Sequence, residues 1–205
     1  MSKIVAKLFD LSGKVIVLGG GAGQIGFSMA EALVDAGSKI AIVDTDLDLA
    51  ESKLSTFHDE KIVSNVSLYK ADVSSRDEVL AVWEKIAKDY DSIYGLINCF
   101  HFKGDSRRLD TSSNFFVDFE KYPEEAWDKV HDVNLKGTFL MCQAAIPYFK
   151  KTNLGIIVNV SSTYGNVSPN KSIYGDSGIN SPVAYASSKA AIINLTRYIA
   201  THMAE

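Results

Sequence analysis

Cysteine is scarce in this 205-residue chain: only Cys99 and Cys142 occur, each inside an apolar segment. That excludes a small scaffold stapled by disulfides and fits buried, reduced thiols in a cytoplasmic protein. Positive charge is not in excess. Lys and Arg number 21 against 25 Asp and Glu, a net charge of −4, which gives no footing for a nucleic-acid surface. Long apolar runs are missing too. None approaches the roughly 18 residues a membrane-spanning helix needs, and Lys3 and Lys7 precede no apolar stretch of the secretory kind. Internal repeats, low-complexity tracts and linkers are absent, so residues 1–205 read as one compact domain. Hydrophobic residues make up 46% and charged residues 22%, the balance of an ordinary globular protein.

Strand-like and helix-like segments alternate along the chain, the pattern of an α/β protein with a parallel sheet. Residues 14–18 form a β-branched run that leads into glycines. Ile25, Met29, Leu33 and Ala36 recur at helical spacing over 24–36, and Gly37 can end that helix. Further strands are predicted at 39–43, 66–70, 93–99 and 156–160, with helices at 47–57 and 183–203. Ser75 and Glu78 have capping-box spacing before a helix through Val79, Val82, Trp83 and Ile86. A polar stretch, 101–120, precedes a long helical region, 123–151, which Pro147 should kink or end early. The sum is one doubly wound domain.

The turn after the first strand reads Gly19-Gly20-Gly21-Ala22-Gly23-Gln24-Ile25-Gly26. Glycine lets the backbone turn sharply and approach a pyrophosphate, while the helix start offers free N–H groups and a positive dipole end. Residues 21–26 match G-x-G-x-x-G in the strand–turn–helix context that a dinucleotide site requires. A plain glycine turn is the alternative. Asp44 closes the second strand, where an acidic residue meets the adenine ribose hydroxyls. Its charge repels a 2′-phosphate, and the glycine loop holds no Lys or Arg to offset it, so NAD is expected over NADP. Asp44-Thr45-Asp46 could equally form a helix cap or turn. Asp72, after the third strand, is a candidate contact for adenine or a turn-forming aspartate.

Tyr185 and Lys189 stand one helical turn apart in Tyr185-Ala186-Ser187-Ser188-Lys189, on one helix face. An ammonium beside a phenol favours the phenolate, which makes the pair a proton-transfer device. Such pairs also occur on solvated faces. Ser162 follows the fifth strand, at the strand ends where doubly wound folds place ligands, and could bond a substrate oxygen or merely open a polar loop. Asn134 is a polar amide inside a mostly apolar helical segment and must find partners there.

These residues, in this order, resemble the short-chain dehydrogenase/reductase family over essentially the whole chain. The likeness rests on the glycine loop, Asp72-Val73, Asn134, Ser162 and Tyr-x-x-x-Lys. It implies a catalytic tetrad of Asn134, Ser162, Tyr185 and Lys189, with Ser162 chosen over Ser161 because Gly165 lies three residues on. It further implies a cofactor site of Gly20, Gly23, Gln24, Ile25, Gly26, Asp44, Asp72, Val73 and Asn98, with Tyr185 and Lys189, and no metal. The chemistry implied is hydride transfer between NAD and an alcohol or carbonyl substrate, with Tyr185 as general acid/base and Asn134 organising a water relay from Lys189. An NAD-retaining epimerase or dehydratase of nucleotide sugars, and a non-catalytic dinucleotide-binding protein, are the alternatives.

The sequence departs from the family pattern in places. Gly19 replaces the usual threonine, and Gly20, Gly23 and Gly26 fit the G-x-x-G-x-x-G spacing of the extended branch. Asn98-Cys99-Phe100-His101 stands for Asn-Asn-Ala-Gly, so only Asn98 carries over. The longer segment between Ser162 and Tyr185 resembles a bacterial subgroup of surface-glycan and flagellin-sugar biosynthesis. Family members continue with two more strands and a substrate-covering segment, so the chain is expected to be C-terminally incomplete. The loops 101–120 and 163–183 should form the substrate side, with Lys103, Arg107 and Arg108 available to a sugar-derived or anionic substrate. A cytoplasmic homodimer or homotetramer is the implied full-length form.

Overall fold

A computed structural model of the chain describes residues 7–56, 60–102, 116–177 and 181–204. The strands are β1 Val15–Gly19, β2 Lys39–Asp44, β3 Val66–Lys70, β4 Gly95–Asn98 and β5 Ile156–Asn159. The helices are α1 Gln24–Asp35, α2 Leu47–Leu54, α3 Glu60–Asn65, α4 Arg76–Asp89, α5 Glu124–His131, α6 Gly137–Thr152 and α7 Val183–His202. Among the described residues, no helix is long and apolar enough to cross a membrane.

These elements gather into two compact units. The first, Met1–Phe100 with Leu140–Val158, carries the five-stranded sheet in the order β3-β2-β1-β4-β5. Strand β1 runs parallel to both β2 and β4, with Leu18 opposite Ile42 and Ile97. All of β1 is buried, and Ile40 through Val43 of β2 are sealed from solvent. Continuous apolar runs of this kind mark a parallel sheet covered on both faces. Leu18, Ile40 and Ile42 form a core with Phe27, Ala30 and Val34 of α1. The fold is therefore the expected Rossmann-type α/β sheet. The chain reverses direction across the sheet between β1 and β4, so Gly19 and Asn98 lie side by side at the carboxyl ends where such sheets bind ligands.

The second unit, His101–Phe139 with Asn159–Glu205, packs α5 against α7. Val130 and Ala184 are buried between them, with Phe102, Phe116 and Tyr122 around. Lys103, Arg107 and Arg108, and with them the anion-binding expectation, lie outside the described residues.

Local corrections are physical. The predicted helix 47–57 ends as α2 at Leu54, and a separate α3 feeds directly into β3. Ser75 does cap α4, its Oγ accepting from Glu78 N at 3.4 Å, but the Glu78 carboxylate accepts from Asp72 N at 2.9 Å. The region 123–151 is interrupted, though not by its proline. Asp132–Lys136 form a π-helical turn between α5 and α6, and α6 continues through Pro147 to Thr152. Pro147 and Gln143 both lie on the exposed side of α6, so water can satisfy the Gln143 carbonyl that the missing N–H leaves over.

Candidate active site

In the first unit the glycine turn is built by close approach. Gly20 has φ +78°, a left-handed conformation suited to glycine, and a Cβ there would meet Phe100 N at 2.6 Å. At Gly26 a Cβ would lie 2.4 Å from the Gly20 carbonyl oxygen, so α1 can start only where a glycine passes over the turn. Gly23 is the N-cap of α1 and no side chain caps that end. Gly23, Gln24 and Ile25 are exposed, which leaves the first N–H groups of the helix facing outward. A Cβ on Gly23 would meet only the Gly20 carbonyl, at 3.3 Å, so its outer side is open. Bare backbone, an uncapped helix start and open space fit the pyrophosphate of a dinucleotide.

Asp44 ends β2 beside this turn. Its Oδ2 accepts from Ala22 N at 3.0 Å and its Oδ1 from Asp46 N at 3.1 Å. The helix-cap role falls instead to Asp46, which accepts from Leu49 N at 3.0 Å. Asp72 accepts from both the backbone N–H (2.9 Å) and the hydroxyl (2.6 Å) of Ser74, beside a buried Val73. Asn98 is buried, its Nδ2 reaching Cys142 Sγ at 3.4 Å. Neither cysteine is in a disulfide. The sequence reading missed Phe100, whose ring lies over Gly19, and Lys53, whose Nζ donates to the Ala22 carbonyl at 2.6 Å.

The second unit holds the four residues of the expected tetrad. Asn134 sits in the π-turn and is fully buried. Its Oδ1 accepts from Phe102 N at 2.7 Å, and its Nδ2 donates to Ser188 Oγ at 3.0 Å. Ser188 in turn donates to the Tyr185 carbonyl at 2.8 Å, so Asn134 braces α7 one residue from Lys189. Lys189 is buried, with Nζ donating to the Val160 carbonyl at 2.7 Å and lying 5.9 Å from the centre of the Tyr185 ring. The two side chains share one face of α7, as their spacing requires.

The two serines after β5 divide the work. Ser161 Oγ donates to the Lys189 carbonyl at 2.7 Å, whereas Ser162 Oγ accepts from Tyr164 N at 3.2 Å. Ser161 is thus spent on anchoring the loop to α7, where Gly165 also passes so close that a Cβ would lie 2.9 Å from the same carbonyl. Ser162 caps its turn as an acceptor and keeps its own proton for another oxygen. Beyond it, Tyr164 and Tyr174 join hydroxyls at 3.1 Å, and this bond holds the Tyr164 phenol above its ordinary range. His101, a position the sequence marked only as a departure, meets the Tyr185 ring edge-on with centroids 5.9 Å apart.

Comparison with known proteins shows the family of the chain. The family model for short chain dehydrogenases matches residues 14–205. The chain is 30% identical over 190 residues to a 2-(S)-hydroxypropyl-CoM dehydrogenase of Xanthobacter autotrophicus, covering 93% of this chain and 66% of that protein. It is 30% identical over 197 residues to a 5-keto-D-gluconate 5-reductase of Escherichia coli, covering 96% and 68%. Among solved structures, NAD+-bound xylitol dehydrogenase superposes with a TM-score of 0.78 at 26% identity, over 94% of this chain and 66% of that one. The chain therefore spans about two thirds of the length of the relatives it matches. It belongs to the short-chain dehydrogenase/reductase family, whose members are NAD(P)-dependent oxidoreductases of alcohols and carbonyl compounds.

Proposed function

We propose that this protein interconverts an alcohol and its carbonyl compound, with NAD as hydride carrier and Tyr185 as general acid/base. The observation that carries this reading is the buried Lys189 ammonium, fixed by the Val160 carbonyl on the same helix face as Tyr185. A buried charge is costly unless it is held and used. Here it stabilises negative charge on an oxygen at the Tyr185 hydroxyl.

In the reducing direction Tyr185 donates its proton to the carbonyl oxygen, and in the oxidising direction it takes the proton back. Ser162 donates a hydrogen bond to the same oxygen. Asn134 acts as a positioning residue through Ser188. Gly20, Gly23, Gln24, Ile25 and Gly26 would hold NAD, which when bound would supply or accept the hydride. Asp44 would accept from its ribose hydroxyls and favour NAD over NADP by charge. The substrate class is a polyol or sugar-derived carbonyl, supported by the relatives that act on 5-keto-D-gluconate and xylitol. The hydroxyl-rich segment around Tyr164, Asn170, Ser172 and Tyr174 suits that class.

Production of NADH, followed by absorbance across a panel of polyols and sugar alcohols, tests the reading. Tyr185→Phe should lower kcat by about a thousandfold, within the usual range of general acid–base catalysis, while NADH affinity stays unchanged. Lys189→Ala should damage both. Tyr198→Phe, on an exposed face of α7, is the control. Equal, small losses for Tyr185→Phe and Tyr198→Phe would refute the assignment, and turnover without net NADH would favour an NAD-retaining epimerase.

A further inference from the structure

Lys53 lies outside every motif that carries the proposed function, yet its ammonium sits on the cofactor turn. It comes from the last turn of α2, donates from Nζ to the Ala22 carbonyl at 2.6 Å and rests 5.3 Å from the centre of the Phe27 ring. The N–H of the same residue, Ala22, donates to Asp44 Oδ2 at 3.0 Å. One residue of the glycine turn is thus held by an anion on its nitrogen side and a cation on its oxygen side. Among the described residues, ion pairs join Lys136 to Asp132 and Lys171 to Asp118, and no carboxylate lies within pairing distance of Lys53. Among the described residues its charge therefore has no direct carboxylate partner.

We infer that Lys53 is a specificity-determining residue of the dinucleotide site, the cation that lets a 2′-phosphorylated dinucleotide bind despite Asp44. The inference rests on the proposed dinucleotide binding. A 2′-phosphate brings a charge of roughly −1.5 to −2 at neutral pH. Asp44 alone would reject it, but a lysine ammonium on the far end of the same peptide segment offsets that repulsion. Lysine suits this role because it is a compact point charge on a flexible stem, able to leave the carbonyl for a phosphate oxygen. The chain should then prefer NAD and still accept NADP.

Fluorescence titration of NADH and NADPH, which needs no turnover, tests the idea on the wild-type chain, Lys53→Met, Lys53→Arg and Asp44→Asn. Lys53→Met should weaken NADPH about tenfold, the loss of one charged hydrogen bond, and NADH less than about threefold. Lys53→Arg should retain NADPH binding, and Asp44→Asn should narrow the preference for NADH. Wild-type affinity for NADPH should also fall more steeply with salt than that for NADH, a difference lost in Lys53→Met. Equal losses for both dinucleotides would reduce Lys53 to a support of the turn and overturn the inference, as would no loss at all. A wild-type chain that binds neither would refute the dinucleotide reading itself.

Discussion

A Cβ placed on Gly19 would lie 2.9 Å from two ring carbons of Phe100. Gly19 and Phe100, two of the departures from the family pattern, therefore share one space: the ring after β4 occupies the volume that a side chain at the end of β1 would need. Their coupling is measurable. Gly19→Thr alone should destabilise by about 2 kcal/mol, the usual cost of overpacking. In a Phe100→Ala background the same substitution should cost at least about 1 kcal/mol less, since neighbours that share a space do not act additively. Urea midpoints of the four proteins give the coupling, and additive effects would show that the two positions are independent. Each departure was plain in the sequence. Their joining was not, because it depends on the register that sets Gly19 beside Asn98.

At the scale of elements, the turn Asp132–Lys136 places Asn134 in the second unit by abandoning α-geometry. Thr138 Oγ1 donates to the Asn134 carbonyl at 2.6 Å, and the amide spans Phe102 and Ser188. π-Turns of this kind recur at functional sites. Asn134→Ala would remove the acceptor of the part-buried Phe102 N–H and the donor to Ser188 Oγ, at about 2–3 kcal/mol. Thermal melts should show that loss, and a drop no larger than that of an exposed helix substitution would mean that water repairs the gap.

Sequence reading found what periodicity dictates. The strands followed their apolar runs, α1 and α7 their spacing, and Tyr185 and Lys189 the helical repeat. It misplaced the break in the 123–151 region because it weighed Pro147 and passed over Gly137, where α6 begins, whereas the π-turn is fixed by side-chain bonds to distant residues. Lys53 was invisible for the same reason, since nothing local says which carbonyl a flexible ammonium will reach. Ser161 and Ser162 became distinct in role only once the Lys189 carbonyl was seen between the loop and α7.

For the whole molecule, alkaline stability follows the phenols held above their ordinary range: besides the exposed Tyr164, two lie in the first unit and one in the second. Tyr69 is pushed well above its ordinary range by burial and by its bond to Asp89 at 2.8 Å. Burial pushes Tyr122 up to about 12 and raises Tyr148 as well. A phenol harder to ionise in the folded chain than in the unfolded one contributes stability that is fully present below pH ~10 and fades as pH rises through the folded values. Urea midpoints should hold level up to pH ~10 and then fall towards pH ~12. Tyr122→Phe should lessen that fall without loss at neutral pH, because its buried hydroxyl has no partner among the described groups. An unchanged alkaline slope in Tyr122→Phe would assign the effect to the other phenols.

Trp83 and Trp127 are the two tryptophans of the chain, and they fall one to each unit. Trp83 is sealed from solvent and stacked on Tyr148 with ring centres 5.6 Å apart. Trp127 is 37% exposed and lies 4.2 Å from the His131 imidazole. An indole in an apolar cage emits to the blue of one in contact with water, so the protein carries two colours of intrinsic fluorescence. Loss of the blue component reports the opening of the sheet-bearing unit, and changes in the red one follow the helix that leads into Asn134. Single-tryptophan variants, Trp127→Phe and Trp83→Phe, would turn one emission spectrum into two separate clocks for unfolding.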